Sequence, residues 1–551
     1  MCIRLTPLDT VCHNFSNPDR ESKQRIMAHS NWRSVYFITW GLRILLAIGG
    51  SYIHPDEHFQ SFEVLLSRFF GFSTNIPWEF SSVDPARSYV PLLVTYYPVL
   101  KVAELFQLLP IQSYFIARLA LMVLSWIVID MCLYKMLPTK QERIKAIYFT
   151  LTSYITHVYQ SHTFSNSIET ILVVLCVYMI NELRFLLSTP SEKVRNTEIA
   201  TLGLAIGACA SFGIFNRVTF PAFLALPFFI YAKCALTWIW LPVLTLLSFV
   251  FTSCVCVVVD TLIYKRISLL ILAQNPFNWS QYVLTPLNNL VYNSNYANLS
   301  QHGIHPYYTH ILINLPQIMG PGLLFLFWRF KNRYYQTTPF LSAVGALIVL
   351  SFVPHQELRF LIPVVPLLCC CFDLTVFLET PGSTPVPVTL IMNSWLVFNL
   401  VLSLLMGIYH QGGVVPALSY FQERFYAKNE TGVTQIWWRT YSPPTWLLGD
   451  MSNSTQYLDL ANAFSPGSKP NTVIDAMGAE YEKVQSALGF AKSVNAQQRI
   501  FLVTPVASYK QFFNASLFNE TWTYPAHLDL DHLDFSKAQS LQLGLGIYEL
   551  L

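Results

Sequence analysis

Long runs of apolar residues constrain the fold of this chain more than any other feature of its sequence. A helix of roughly 17–25 apolar residues can cross a bilayer. Only 12% of the 551 residues are charged, whereas an ordinary soluble protein has about 25%. The sequence therefore predicts an all-α polytopic membrane protein with about eleven transmembrane helices. The predicted spans lie near residues 34–53, 113–137, 144–164, 167–187, 199–215, 217–233, 236–264, 309–328, 338–354, 359–379 and 388–410.

Basic residues orient these spans. With eleven spans and residues 1–33 in the cytosol, the positive-inside rule places every basic cluster on the cytosolic side. The loops 54–112 and 265–308 then lie on the far side of the membrane, together with residues 411–551. The clusters occur in the N-terminal segment and at 140–145, 184–195 and 329–333.

Glycosylation sequons agree with this orientation. An Asn-x-Ser/Thr sequon marks a candidate acceptor that must face the far side. Six sequons fall in segments that the charge rule already places there, and a seventh at Asn14 is predicted to be cytosolic and unused. The six predicted glycosylation sites are Asn278, Asn298, Asn429, Asn453, Asn514 and Asn519.

The stretch "IHPDEHFQSFE", residues 53–63, concentrates three carboxylates and two imidazoles directly after the first apolar run. Pro55 suits the first turn of a helix, and the loop 54–112 is predicted to form amphipathic helices along the membrane surface. The acids could instead simply occupy a helix N-terminus, where the macrodipole favours negative charge. The helix would have a polar face of Asp56, Gln60 and Glu63 and an apolar face of Phe59, Phe62 and Leu66.

Two further polar clusters are predicted on the same side of the membrane. Ionisable residues at membrane depth are costly and often functional, so three such clusters indicate one polar site roofed by the first loop. Arg359 has a planar charged fork suited to a phosphate, although an arginine at a span end can also simply reach out to water. "PHQELRF" supplies His355, Glu357 and Arg359, and "SHTFSNSIET" supplies His162, Asn166 and Glu169.

Together these three motifs resemble glycosyltransferase family 22, the mannosyltransferases of the endoplasmic reticulum that use dolichol-phosphate-mannose. The resemblance covers residues 34–410 and implies the GT-C type of fold with a luminal active site in the first loop. "IHPDEHFQSFE" and "IPWEFSSVDPARSYVPLL" look most like the fungal members that add the fourth mannose of the glycosylphosphatidylinositol (GPI) anchor. Members that add the third mannose carry an aromatic residue where this chain has His58.

The resemblance implies a reaction and a set of roles. Mannose would pass from the lipid-linked donor to the third mannose of a GPI precursor in an inverting reaction that gives an α-1,2 linkage. The donor is a substrate, no cofactor is required, and a divalent metal is left open. The catalytic base would be Asp56, with Glu57 as its competitor, and the donor phosphate would bind His355, Glu357 and Arg359. Further substrate contacts are expected from His54, His58, Gln60, Arg87, His162, Asn166 and Glu169, and from Trp78 and Glu79.

The sequence also allows three other functions. Members of the same family add the third GPI mannose or extend the N-glycan lipid precursor. A transporter would usually keep its charges near the bilayer midplane and show internal repeats, and neither is visible here. A non-catalytic scaffold would not need the acidic pair beside the intact His-x-Glu-x-Arg motif.

The rest of the sequence gives no sign of a nucleic-acid-binding protein or a zinc protein. There is no basic domain that would bind nucleic acid, and no CxxC pair stands near a His pair as a zinc site would require. No motif identifies a protein partner. After residue 411, "KPNTVIDAMGAEYEKVQSALGF" predicts a helix with flanking strands, and therefore a small luminal α/β region.

Overall fold

A computed structural model describes residues 32–188, 195–300, 303–327, 334–374, 386–460, 469–494, 498–533, 536 and 538–551. Nearly all of the predicted cytosolic segment 1–33, including Asn14, lies outside the described residues. The same holds for residues 189–194 and 328–333 of two predicted cytosolic loops.

Helices dominate the chain from residue 32 to residue 424. The first eleven are α1 (Trp32–Ala47), α2 (Asp56–Phe59), α3 (Phe62–Phe70), α4 (Val90–Thr95), α5 (Tyr97–Leu105), α6 (Pro110–Met136), α7 (Lys140–Leu151), α8 (Ser165–Ser188), α9 (Arg195–Asn216), α10 (Pro227–Thr237) and α11 (Trp240–Lys265). The next nine are α12 (Leu269–Gln274), α13 (Thr285–Ser294), α14 (Tyr296–Ser300), α15 (Leu315–Met319), α16 (Leu323–Phe327), α17 (Thr338–Ser351), α18 (Val364–Cys370), α19 (Val386–Leu404) and α20 (Val414–Arg424).

Six described helical segments are long and apolar enough to cross a membrane. They are Pro110–Met136, Ser165–Ser188, Asn196–Asn216, Trp240–Lys265, His310–Phe327 and Thr389–Tyr409. The other five predicted spans also fall on helical structure, but as shorter or broken segments such as Thr338–Ser351 and Leu358–Cys370. The chain is therefore a helix-rich polytopic membrane protein, and the count of eleven spans stays a prediction.

Helix α11 shows how the bundle is built for a lipid environment. One side of it packs on α9, where Gly203 and Gly207 are four residues apart. A Cβ atom on Gly207 would lie 2.1 Å from the Thr245 carbonyl oxygen, so only glycine permits this approach, as is common between membrane helices. The remaining side exposes large apolar side chains such as Leu246 and Phe251, which suit contact with acyl chains.

The C-terminal region forms the predicted α/β unit. Its strands are β1 (Val433–Trp438), β2 (Thr455–Asp459), β3 (Asn471–Met477), β4 (Arg499–Pro505), β5 (Phe518–Tyr524) and β6 (Leu545–Leu550), and its helices are α21 (Tyr481–Val494) and α22 (Val506–Phe512). The sheet order is β2-β3-β1-β4-β6-β5. β1 to β4 pair in parallel, whereas β6 pairs antiparallel to both β4 and β5. The predicted helix with flanking strands is confirmed as β3, α21 and β4.

The first loop is packed between the bundle and this sheet. One apolar cluster contains Phe62 of α3, Tyr114 of α6, Trp446 and Phe501 of β4. Because these side chains are fully buried, α3 does not rest on lipid through Phe62. This part of the loop therefore packs on protein at Phe62, and the arrangement of the loop's helices along the membrane surface stays a prediction.

Candidate active site

Asp56 and Arg359 form an ion pair at the centre of a partly exposed cluster of polar side chains, called the cleft below. The two atoms Asp56 Oδ2 and Arg359 Nη1 are 2.6 Å apart. Asp56 opens α2, shortly after the end of α1, and Arg359 lies in a short 3₁₀ turn, Leu358–Leu361, between α17 and α18. The side chain of Asp56 keeps 23% of its surface exposed, so this carboxylate can be reached by a substrate.

Gln60 joins Asp56 to a second carboxylate. Its Nε2 donates to Asp56 Oδ2 at 2.6 Å and to Glu79 Oε2 at 2.9 Å, and its Oε1 accepts from the Ser165 hydroxyl at 3.2 Å. Only the NH₂ end of the amide can face two carboxylates, so the orientation of Gln60 is fixed. Glu79 is also paired with Arg87 Nε at 3.1 Å, which places Arg87 in the cleft wall rather than on the outer surface.

His355 and Glu357 lie on the other side of Arg359. Glu357 accepts from Arg359 Nε and contacts His355 Nε2 at 2.9 Å, and His355 Nδ1 lies 3.0 Å from the Gly303 carbonyl oxygen. All three residues predicted to bind a donor phosphate are thus in contact with one another. Gln356 points away, because its amide bonds the backbone of Ser351 and His310.

The charges in this cleft are mutually stabilised. Burial alone would raise the pKa of Asp56, but the positive charge of Arg359, and that of His54 when it is protonated, outweigh burial and the pKa is lowered. The same balance, with Arg359 and His355, holds the pKa of Glu357 well below its usual range. Burial and Arg359 lower the pKa of His54. At neutral pH Asp56 and Glu357 are therefore ionised and His54 is neutral.

Glu57 faces the opposite way from Asp56. It is fully buried, and its Oε1 accepts from the Tyr114 hydroxyl at 2.8 Å. Burial raises its pKa to about 7. Beneath it, His162 Nε2 accepts from Arg118 Nη2 at 3.0 Å, while Arg118 also donates to the carbonyl oxygens of Leu46 and Gly49. Glu57 and His162 therefore belong to a sealed layer under the cleft.

His58 and Glu63 belong to the same sealed layer, where the C-terminal region covers them. Trp446 donates from Nε1 to His58 Nδ1 at 3.2 Å, and Glu63 accepts from the Trp446 backbone and from Thr445. Both are fully buried. Because α2 ends at Phe59 and α3 starts anew at Phe62, Glu63 does not share a face with Asp56, and the predicted polar face is wrong at that residue. His58, predicted to contact substrate, has no access to the cleft.

Asn166 and Glu169 support the cleft from below. Both are fully buried, so direct substrate contact, as predicted, does not fit their position. Glu169 pairs with Arg217 Nε at 3.2 Å, and Arg217 Nη1 donates to the Ser165 hydroxyl that in turn bonds Gln60. The network therefore connects the second polar cluster to Asp56 through side chains.

The remaining predicted site residues lie on the surface of the molecule. Trp78, near the cleft wall, stacks on Tyr292 of α13 with ring centroids 4.1 Å apart. Five of the six sequon asparagines are exposed and Asn298 is half-buried, so the glycosylation prediction is compatible with the structure and stays a prediction. In the described part of the chain, no group of three His, Cys, Asp or Glu side chains could hold a metal ion.

Sequence reasoning missed four residues of this site. Arg118 and Arg217 each stand alone in an apolar stretch, "FIARLAL" and "GIFNRVTF", and an arginine at membrane depth is a signal that could have found them. Trp446 and Tyr441 carry no such signal. The ring of Tyr441 lies 6.3 Å from that of His54, but the two are almost four hundred residues apart in the chain.

Comparisons with known proteins identify the family. The profile of the Alg9-like mannosyltransferase family matches residues 34–448. The chain is 49% identical over 539 residues to GPI mannosyltransferase 4 of Debaryomyces hansenii, covering 95% of this chain and 99% of the relative. It is 46% identical to the protein of that name in Candida albicans, covering 96% and 100%. It is 37% identical to the one in Saccharomyces cerevisiae, covering 93% and 98%.

Solved structures show more distant likeness. The crystal structure of ArnT from Cupriavidus metallidurans bound to undecaprenyl phosphate is similar at a TM-score of 0.49 and 12% identity, over 94% of this chain and 98% of that one. The apo oligosaccharyltransferase of Archaeoglobus fulgidus is similar at a TM-score of 0.44 and 11% identity, over 91% and 74%.

A polytopic helical bundle with this acidic cleft, matched by a family profile over well over half of its length, is a membrane-bound glycosyltransferase. The chain belongs to the Alg9-like mannosyltransferase family. This confirms the family predicted from the three motifs and excludes the transporter reading.

Proposed function

We propose that the chain transfers mannose from dolichol-phosphate-mannose to the third mannose of a GPI-anchor precursor, through an α-1,2 linkage, on the luminal side of the endoplasmic reticulum membrane. The lipid-linked donor, the GPI acceptor and the membrane are its partners. Support for the acceptor comes from relatives named GPI mannosyltransferase 4 that align over nearly the whole chain. The eleven spans, the cytosolic N-terminus and the luminal residues 411–551 are part of the same proposal.

The observation that carries the mechanism is the contrast between Asp56 and Glu57. Asp56 is reachable and ionised, whereas Glu57 is sealed and its pKa is raised to about 7. An inverting transfer needs one carboxylate to take the proton of the attacking hydroxyl. Asp56 is therefore the base in this proposal, and Glu57 holds the loop in place through Tyr114.

The bond changes follow from this assignment. The acceptor hydroxyl oxygen attacks C1 of the donor mannose while its proton passes to Asp56. The bond between C1 and the phosphate oxygen breaks from the opposite face, and dolichyl phosphate leaves with the electron pair. Attack from the face opposite a β-linked leaving group gives an α-linkage.

Arg359 stabilises the leaving phosphate in this scheme. Its guanidinium contacts Asp56 and Glu357 on two edges, so it links the base to the donor side of the cleft. A fixed cation beside the breaking bond stabilises the charge that grows on the phosphate oxygen without reorganisation. Glu357 and His355 hold that fork in place. His54 Nδ1 accepts from the Asp56 backbone N–H at 3.2 Å, so the neutral ring carries its proton on Nε2, which can donate to a sugar hydroxyl.

The reaction is tested with membranes that contain the chain, labelled dolichol-phosphate-mannose and two lipid acceptors, a GPI precursor with three mannoses and one with two. Transfer to the three-mannose lipid is expected. Transfer to the two-mannose lipid alone would mean that the chain adds the third mannose, as other members of the family do. Transfer to neither, but to an N-glycan lipid precursor, would assign the other branch of the family.

A further inference from the structure

A polar cavity in the C-terminal region lies outside the cleft and belongs to none of the motifs. Its volume is about 190 Å³, and its wall is formed by residues that follow β1 and β4 and by residues of the connection between β5 and β6, among them His527 and Asp529. The connections that leave these two neighbouring strands run to opposite edges of the sheet, to β2 and to β5. A crevice of this kind, outside the carboxyl ends of parallel strands, is where open α/β sheets bind ligands.

An arginine that forms no salt bridge with any described residue lies in this cavity. The guanidinium of Arg439 is held between the rings of Trp438 and Phe512, with its carbon 4.8 Å from each centroid. Its Nε is buried without a hydrogen-bond partner, and its Nη1 donates only weakly to the Ser508 hydroxyl at 3.4 Å. Among the described residues, no carboxylate lies within 4.0 Å of it; Asp529, in the same wall, attracts it from a longer distance and is itself paired with His532. A partly buried cation that lacks a partner is costly.

The backbone at this arginine is unusual as well. Arg439 has a φ of +55°, in the left-handed region that is unfavourable for a residue with a Cβ. The strand register shifts just before it, between Trp437 and Trp438. This conformation ends β1 and places the side chain of Arg439 in the cavity wall.

A second unsatisfied donor lines the same cavity. His527 is 1% exposed, and its Nδ1 accepts from the Gly413 backbone N–H at 3.2 Å. The neutral ring must therefore carry its proton on Nε2, and that atom has no partner among the described residues. Arg439, His527 and Ser508 thus bring donors from three separate segments toward one space, which suits a tetrahedral oxyanion.

The cavity lies beside the end of the last span. Leu528, another wall residue, donates its N–H to the Tyr409 carbonyl oxygen at 2.8 Å and accepts from the Gln411 N–H at 3.1 Å. Tyr409 closes the last long apolar segment, so the cavity is at the level where a lipid presents its phosphate. The Tyr441 hydroxyl contacts His410 at 3.2 Å. The ring of Tyr441 lies 6.3 Å from that of His54 in the cleft.

We propose that this cavity binds a phosphate group, and that in the working enzyme the phosphate is carried by the lipid-linked acceptor. Arg439 and His527 would hold the phosphate while the acceptor hydroxyl reaches Asp56. The assignment to the acceptor rests on the proposed function, whereas phosphate binding itself does not.

Binding is tested on the purified full-length chain with inorganic phosphate, against chloride at equal ionic strength. The thermal midpoint of unfolding, followed by tryptophan fluorescence, should rise with phosphate concentration because a ligand of the folded state stabilises it. Arg439→Gln should weaken the apparent affinity by roughly tenfold or more. The control is Arg499→Gln, which removes an exposed arginine paired with Glu549 at the other end of β4 and should leave phosphate binding unchanged.

A second variant keeps the test decisive if Arg439→Gln folds poorly. Ser508→Asp places a carboxylate next to Arg439, so it should stabilise the fold and abolish the phosphate effect. No phosphate effect in the wild-type chain, or an undiminished effect in Ser508→Asp, would overturn the cavity as a phosphate site.

The acceptor assignment has its own readout. In the transfer assay, Arg439→Gln should raise KM for the lipid acceptor by about tenfold and leave kcat and the KM for the donor nearly unchanged. An unchanged acceptor KM together with lost phosphate binding would mean that free phosphate, not the acceptor, occupies the cavity. Absence of GPI mannosylation by the wild-type chain would refute the proposed function and leave the binding result standing.

Discussion

The open cleft and the sealed layer beneath it both contain carboxylates, but these carboxylates differ in exposure, in their partners and in their pKa. Asp56 and Glu57 are neighbours in the chain; one is reachable and beside Arg359, and the other is fully buried beside Tyr114. The cleft keeps its carboxylate ionised, whereas burial raises the pKa of Glu57 to about 7 and that of Glu63 to about 8. The surroundings of Asp56 and Glu57, rather than their shared carboxylate chemistry, therefore suit the first to catalysis and the second to structural support.

The largest effect is expected from Asp56→Asn. The amide keeps the shape of the side chain but cannot accept the proton, so kcat should fall by about 10²–10⁴-fold. Transfer is measured with equal amounts of inserted protein. Glu63→Gln is the matched control in the sealed layer and should remain active; a variant Asp56→Asn with wild-type turnover would remove Asp56 from the mechanism.

A smaller loss is expected from Arg359→Lys. The charge remains, but a lysine cannot contact Asp56 and Glu357 with a planar fork, and the loss of one charge-assisted hydrogen bond is worth roughly 10–100-fold. The fall should appear in kcat and kcat/KM alike, because the fork stabilises charge that grows in the transition state. The exposed Arg499→Lys serves as its control. A rise in donor KM alone would mean that Arg359 binds the ground state only.

Features of the fold and the site that depend on neighbouring residues could be predicted from the sequence, whereas those that depend on contacts between distant residues could not. Apolar length placed helices at every predicted span, and short motifs identified Asp56 and Arg359, because both depend on local pattern. The break at Gln60–Ser61 and the burial of His58 and Glu63 were not predictable from local pattern. His58 and Glu63 are buried against Trp446, nearly four hundred residues away in the chain. A contact over that distance leaves no trace in the local periodicity of the sequence.

The sealed layer gives a prediction for pH and stability. Glu63 has an ordinary pKa near 4.5 in the unfolded chain and about 8 when folded, so the folded state binds the extra proton. Stability from this group is complete below about pH 4.5 and is lost as the pH rises toward 8. The thermal midpoint of the wild-type chain should therefore fall more between pH 5 and pH 8 than that of Glu63→Gln. Equal slopes would show that Glu63 is ionised in the folded chain.

The smallest effect is expected from Glu57→Gln. The amide fits the same space and can still accept from the Tyr114 hydroxyl, so transfer at pH 7 should stay within about threefold of wild type, well below the effect of losing a general base. A modest drop in thermal midpoint would fit its supporting role. Loss of transfer as severe as that of Asp56→Asn, in a folded protein, would reverse the roles of the two acids.

The pH dependence of kcat/KM in the wild-type chain tests the division between the two acids most directly. Asp56, whose pKa is lowered by Arg359, should keep the base ionised across pH 5–8, so no acidic limb from the base should appear in that range. A limb centred near pH 7 in the wild-type chain, together with loss of transfer in a folded Glu57→Gln variant, would show that the buried glutamate takes the proton, and would contradict the assignment of Asp56 as the base.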